Sequence, residues 1–285
     1  MMQSTTPVSI IVRTTGVHLD MLAAALESLI SQNHEDLEVI VVQDGGDSAA
    51  TVMNAIPRSN KKTINFIPIE KGGRSKAGNA GLEASQGRYL GFLDEDDELL
   101  PDHVSLLAAK LDATPDVAAV YAQAYEIKTD SQQSLKTLNG STGASLSGRA
   151  QFSKLALMYK NYLPIQSVLF RRKLFETYGG FDEKLDAFED WDLWLKFCET
   201  EGFLAIPEVT SLFRTPHNRA KLYARAVRHE KYRPVIRAKQ KNMKVNVAGM
   251  DILDEHVSRM EEQCRDGRFL YWLRKIRRLF QPGGA

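Results

Sequence analysis

Two cysteines, Cys198 and Cys264, are all that this 285-residue chain contains. Their spacing matches no metal motif, and two thiols make no disulfide framework, so reduced thiols in a cytoplasmic protein are the expectation. No apolar run approaches the roughly 20 residues needed to span a bilayer. Met1–Pro7 has neither a basic start nor an apolar core, so no secretory leader is expected. The glycine spacings of dinucleotide sites and Walker phosphate loops are also missing. Net charge is small, 37 Lys/Arg against 36 Asp/Glu. What is present, 43% hydrophobic and 26% charged residues, is the make-up of an ordinary soluble globular protein. The length suits one large domain, or one domain plus an appendage.

The near-zero net charge hides a split. Residues 220–285 carry 16 Lys/Arg against 7 Asp/Glu, a net of +9, while residues 1–219 carry 21 against 29, a net of −8. An acidic body with a basic tail points to an anionic partner or surface for the tail.

Along the body, apolar β-branched runs alternate with helical patterns. Val8–Val12 reads as a strand, and Leu19, Leu22, Leu26 and Leu29 mark one helix face that ends near Gln32. Leu37–Val42 is a second buried strand, stopped by Asp44-Gly45-Gly46. This β-loop-α-β order builds parallel sheets through right-handed crossovers. A helix near Ala49–Ile56 and a strand at Ile64–Ile69 continue it, followed by the glycine-rich run from Lys71 to Gly81. Tyr89–Leu93 then runs directly into four acids, Asp94–Asp97. Parallel sheets gather their ligands at strand carboxyl ends, which would bring Asp44, Gly73 and Asp94–Asp97 to one edge. Crowded carboxylates repel unless a cation or donor network sits among them, and a divalent ion is one answer. The competing answer is an acidic first helical turn.

These stretches, in this order, resemble the family 2 glycosyltransferases. The resemblance rests on Val8–Val12 with Thr14-Thr15, Ser28 and Gln32, then "VIVVQDGG", Asn79-Ala-Gly81, Ala84–Gly87, "YLGFLDEDDELLP" and Glu189-Asp190, and it covers about residues 7–217. It implies an α/β GT-A fold, a Rossmann-like, mixed and mostly parallel central sheet with flanking helices. It also implies an inverting enzyme that uses a nucleotide-sugar donor, with Mg²⁺ or Mn²⁺ as cofactor.

Residue by residue, the resemblance implies that Thr14 and Thr15 meet the nucleoside and that Asp44 bonds the base, often uracil. It places Asp94 near the ribose, Glu95 within the acidic motif, and Asp96 on the metal. Asn79 belongs to the helix under the donor. Gly73 approaches the donor closely, and Arg74 or Lys76 supplies the charge facing the diphosphate, because Gly78 stands where the family commonly has Arg. Arg13 replaces a usual Pro and Gln43 a frequent first Asp. Asp97 and Glu98 are expected to be structural.

The second half offers strands at Val117–Ile127, Ile165–Phe170 and Phe203–Thr215, and helices at Phe152–Tyr159 and Arg171–Tyr178. Thr129–Gly148, rich in Ser, Gly, Thr and Asn, reads either as a lid over the site or as a surface insertion. Trp191, Trp194, Leu195 and Cys198 share a helical face and read as core. Glu189 and Asp190 precede them. An inverting transfer needs a carboxylate to take the acceptor hydroxyl's proton, and the family resemblance assigns this to Asp190, with Glu189 or Asp192 orienting the base or the acceptor. Arg214 is expected at the developing charge, and His217 at the metal or diphosphate.

Residues 221–244 carry nine Lys/Arg and one acid. Phe269–Phe280 interleaves aromatic, Leu and Ile residues with Arg/Lys, and as a helix it would be amphipathic. That pattern fits an anionic membrane surface, with packing on the body or homodimerisation as the rival. The acidic body and absent motifs exclude nucleic acid as the partner. The expected organisation is a GT-A domain over 1–219, with its donor half at about 7–100 and its acceptor half at about 101–219. A basic, amphipathic helical extension over 220–285 follows. The expected acceptor is a saccharide or a lipid-linked glycan in surface-polysaccharide synthesis, and the expected location is the cytoplasm or the cytoplasmic face of the inner membrane. A non-catalytic GT-A-like scaffold and a sugar-nucleotidyltransferase are the alternatives. The second normally has a glycine-rich signature after its first strand, where this chain has Arg13-Thr-Thr-Gly16.

Overall fold

Val8–Thr14 (β1) is buried at every residue, the pattern of a strand covered on both faces. Its side chains alternate. Ile11 joins one apolar cluster with Leu90 and Phe92, while Ile10 and Val12 join another with Leu22 and Leu26, as the two-residue strand period requires. The structure is a computed structural model that describes residues 6–57, 62–131, 133–135, 144–199, 202–241 and 243.

Strands and helices alternate through the first half: Leu19–Ile30 (α1), Leu37–Asp44 (β2), Ala50–Ala55 (α2), Lys62–Ile69 (β3), Arg74–Ala84 (α3) and Tyr89–Asp94 (β4). β1 pairs in parallel with β2 and with β4, and β2 pairs in parallel with β3. The strand order is therefore 3-2-1-4. The order reverses between β1 and β4, and open α/β sheets bind ligands beside such a reversal, at the strand carboxyl ends. α3 lies close on β1 because position 81 is glycine: a Cβ there would stand 2.2 Å from Ile11 Cγ2.

The second half adds Glu98–Leu99 (β5), His103–Ala113 (α4), Ala119–Lys128 (β6), Ala144–Ser147 (β7), Lys154–Tyr159 (α5), Val168–Arg171 (β8), Arg172–Tyr178 (α6), Glu189–Phe197 (α7), Phe203–Thr215 (β9) and Arg219–Gln240 (α8). β8 joins β4 in antiparallel fashion, and the described sheet runs β3-β2-β1-β4-β8-β6-β9-β5, with β7 on β6. This is the expected mixed, mostly parallel sheet with helices on both faces.

Three differences from the sequence reading have local causes. Ile165–Ser167 forms a 3-10 turn before β8, because the amide and hydroxyl of Ser167 both bond the Pro164 carbonyl, at 3.0 and 2.7 Å. Ala144–Ser147, expected within a loop, pairs with β6. The compact unit runs to Met243, past the expected boundary at 219/220. α8 belongs to it, since Ile236 is fully buried in the body's core. The amphipathic stretch Phe269–Phe280 lies outside the described residues.

Candidate active site

β4 ends at Asp94, and the Asp97 amide bonds the Asp94 carbonyl at 3.0 Å. That tight turn folds the acids together: carboxylate oxygens of Asp94, Asp96 and Asp97 lie within 4.8 Å of one another. Beside them, at the end of β1, Arg13 is 4% exposed. Its Nε donates to Asp94 Oδ1 at 2.7 Å and its Nη2 to Asp94 Oδ2 at 2.9 Å. Its Nη1 reaches Glu189 Oε1 at 3.4 Å, and Arg74 reaches the same oxygen at 3.3 Å. Arg13 thus links the strand-end acids to the Glu189-Asp190 pair, which lies more than 90 positions further along the chain.

Asp190 accepts from Asn161 Nδ2 at 2.8 Å and from the Trp191 amide at 2.7 Å. Phe188, the residue before the pair, has φ 63°, the left-handed region that non-glycine residues rarely occupy. It is the only such residue among those described. The tryptophans are core, as expected: Trp191 and Trp194 donate their indole N–H groups to the carbonyls of Leu157 and Leu163. Cys198 is buried, and burial pushes its thiol up to about 12, which makes it inert at neutral pH.

The electrostatics separate the carboxylates. Burial works to raise Asp94, but the charges of Arg13 and Arg74 and the Arg13 hydrogen bonds outweigh it and hold Asp94 below the usual carboxylate range. Burial, then the charge of Asp94, pushes Asp96 up to about 6. Asp97 is raised well above its ordinary value by burial and by both neighbouring acids. Asp190 is pushed up to about 7, by burial first and the charge of Glu189 second. Burial and mutual repulsion both raise Asp96 and Asp97, and three clustered carboxylates suit a hard divalent cation with oxygen ligands. The residues present fit Mg²⁺ or Mn²⁺.

The structure distributes the other expected site residues. Asp44 accepts from the amides of Gly72 and Gly73, at 2.6 and 3.1 Å, and so shapes the loop entering α3. Gly73 has φ 90° there, a conformation that glycine adopts without strain. Lys76 leans over Gly72, and Arg74 is half-exposed between the acids. Thr14 and Thr15 both donate to the Glu95 carboxylate, so Glu95 ties the β1 loop to the acidic turn.

Three residues also tie the site to neighbouring segments. Asn79 bonds the Phe181 amide and carbonyl at 2.7 and 3.1 Å, which joins α3 to the segment before α7. Arg214 directs Nε to the Asp96 carbonyl and its guanidinium to the carbonyls of Ser131 and Gln133, anchoring the start of the 129–148 segment. Asp192 pairs with Lys239 at 2.9 Å, which holds α8. His217 is exposed just beyond β9 and is not in the carboxylate cluster. Of the acids expected to be structural, Glu98 accepts from Ser134 and Leu135. Asp97 accepts from the Arg214 amide at 3.1 Å and also joins the cluster.

Sequence reasoning missed Asn161 and the bridging place of Arg13. Asn161 carries no motif. The signal for Arg13 was present: a long cation at the end of a buried strand must find buried anions.

A Rossmann-like sheet with clustered acids at its switch point is the architecture of the GT-A fold. The model of "Glycosyl transferase family 2" matches residues 9–179. The chain belongs to that family. An "Uncharacterized glycosyltransferase" of Rickettsia felis is 27% identical over 173 residues, 60% of this chain and 28% of the relative. A Pasteurella multocida "Chondroitin synthase" is 28% identical over 179 residues, 62% of this chain and 17% of the synthase. The chain therefore spans less than a third of the length of these curated relatives. Among solved structures, S. aureus TarS 1-349 in complex with UDP-GlcNAc superposes with a TM-score of 0.64 at 18% identity, over 85% of this chain and 68% of that one. That likeness is one of fold. The family match stops at residue 179, before Glu189-Asp190, so the second half of the site rests on its own geometry.

Proposed function

We propose that this protein is an inverting glycosyltransferase, moving a sugar from a nucleoside diphosphate-sugar to an acceptor hydroxyl by single displacement. The observation that carries the reading is the Arg13 bridge. It joins the cluster of three carboxylates to a pair holding a half-buried carboxylate with a pKa of about 7. A base poised near neutral pH is what deprotonating a hydroxyl requires.

Asp190 takes the acceptor proton as that oxygen attacks the anomeric carbon, and Asn161 orients its carboxylate. Glu189 keeps Arg13 and Arg74 at the site. Thr14, Thr15 and Asp44 border the nucleoside pocket, and half-exposed Arg74, paired with Glu189, is placed to meet the diphosphate. Asp94, Asp96 and Asp97 would hold the divalent ion, which when bound stabilises the departing diphosphate as a Lewis acid. A UDP-sugar is the first donor to test, because a structural neighbour is recorded with UDP-GlcNAc. The likeness to a chondroitin synthase supports a saccharide acceptor, with a glycolipid as the other candidate.

Exposed Leu222, Tyr223 and Val227, set among Arg219, Lys221, Arg225 and Arg228, support an anionic membrane surface as the docking place of α8. No helix among the described residues is long and apolar enough to cross a membrane. The test is a thermal-shift and product panel of nucleotide-sugars with and without Mn²⁺. A metal-dependent shift with release of a nucleoside diphosphate is expected. Release of inorganic diphosphate would make the protein a nucleotidyltransferase instead, and no binding of any donor would end the reading.

A further inference from the structure

α8 leaves its first half in solvent and lays its second half along the segment that carries Asp190. The contacts fall on both sides of the acid. His229 stacks on Phe188 with ring centroids 4.4 Å apart, and the Arg233 guanidinium lies 5.6 Å from the same ring. Arg237 lies 5.8 Å from the Trp191 ring, and its two terminal nitrogens donate to the carbonyls of Met158 and Tyr159. Lys239 bridges Asp192 at 2.9 Å and Asp182 at 2.6 Å. Tyr232 donates to Asp186 at 3.3 Å. Positions 182, 186, 188, 191 and 192 are thus all held by one helix.

Phe188 matters most among them. It sits at φ 63°, and a residue with a Cβ stays in that region only where its surroundings over-determine it. Those surroundings include the main apolar cluster with Trp191, 5.2 Å away edge-on, and from α8 the side chains of His229 and Arg233. Burial first, then the charges of Arg225, Arg233 and Arg228, pushes His229 down to about 4, so its ring is neutral and packs tilted, 37° off the Phe188 plane. The left-handed turn at Phe188 starts α7, and the Asp192 amide already bonds the Phe188 carbonyl. The direction in which Asp190 leaves the backbone is therefore set by this turn.

We infer that α8 is a positioning element for the base: His229 and Arg233 clamp Phe188 in its left-handed conformation and so aim Asp190 at the acceptor site. The basic helix then serves the reaction, and its last three turns belong to the catalytic unit. This rests on the assignment of Asp190 as the base.

The experiment uses the full chain carrying His229→Ala and Arg233→Leu together, measured beside the wild type with the best donor of the panel. A fall in kcat of tenfold or more is expected, with donor KM and UDP affinity within twofold. Arg233→Lys, which keeps a cation over the ring, should retain most of the activity. The deciding arm is Phe188→Gly, since glycine adopts φ near 60° without a clamp. In that background the paired α8 substitutions should cost less than threefold. An unchanged kcat in the paired variant, or an equal loss in the Phe188→Gly background, overturns the clamp. A kcat loss that merely follows a lowered Tm overturns it as well. Failure of the transferase reading looks different: the wild type then binds no nucleotide-sugar and turns none over.

Discussion

Arg13 and Asp94 form a two-point ion pair, Nε to Oδ1 at 2.7 Å and Nη2 to Oδ2 at 2.9 Å, between the carboxyl ends of adjacent parallel strands. Both strands must end at the same level for that fork to close, so the pair locks the switch point of the sheet. Because Arg13 also reaches Glu189, it is the covalently fixed cation around which the acidic site is assembled.

Replacing Arg13 with Met leaves Asp94 without its fork and Glu189 with only half-exposed Arg74. Breaking such a buried pair from one side costs about 3 kcal/mol. The expected outcome is a marked drop in denaturation midpoint, with Arg13→Lys intermediate because an ammonium cannot make the planar two-point contact.

Asp190→Asn removes the proposed base while preserving shape. Turnover should fall by roughly 10²–10⁴-fold, the usual worth of general-base catalysis. UDP affinity, read by isothermal titration, should change little. Retained turnover would move the base elsewhere.

The pH profile follows from the same residue. With Asp190 at about 7 in the folded protein, the ionised base is depleted below that pH, so kcat/KM should climb through neutrality and level off above it. Stability carries the opposite sign. The ordinary value is 3.8, so between about 4 and 7 the folded state holds a proton that the unfolded chain has lost, and ionisation costs stability as pH rises through that window. Asp190→Asn should therefore raise Tm relative to wild type at pH 8, with the gain shrinking toward pH 5.

His103 is buried on Thr210, with Nδ1 to Oγ1 at 2.7 Å, and burial pushes its pKa down from 6.5 to about 3. The unfolded chain takes up a proton below pH 6.5 that the folded protein refuses, so this residue removes stability as pH falls from there toward 3, by about 1.4 kcal/mol per pH unit. Between pH 7.5 and 5, His103→Gln should lose less Tm than wild type does.

Asp96→Ala should abolish the Mn²⁺-dependent part of UDP binding in a thermal-shift titration. Asp94 is already forked by Arg13 and Asp97 already takes the Arg214 amide, so the Asp96 carboxylate is the first cluster member to test. A wild-type metal response in that variant would rule out the cluster as the ion's site.

Much of this could be read before folding. The alternation of β-branched runs with leucine stripes pointed to a parallel half with a ligand edge at its strand ends, because strand and helix periods are local properties of the chain; the order 3-2-1-4 came from the tertiary structure. The acids after Tyr89–Leu93 and the Glu189-Asp190 pair could be found as motifs for the same reason. Tertiary structure alone decided how charge is shared among them. Arg13 looked like a departure from the family pattern and became the bridge, while Arg214 proved to tie the acidic turn to the 129–148 segment and Asn79 to tie α3 to the segment before α7. α8 looked like the start of a separate basic tail until Ile236, Arg237 and Lys239 met the body. Pairings across more than a hundred residues, and the desolvation that moves Asp190 to about 7, depend on which surfaces meet. No local period encodes that.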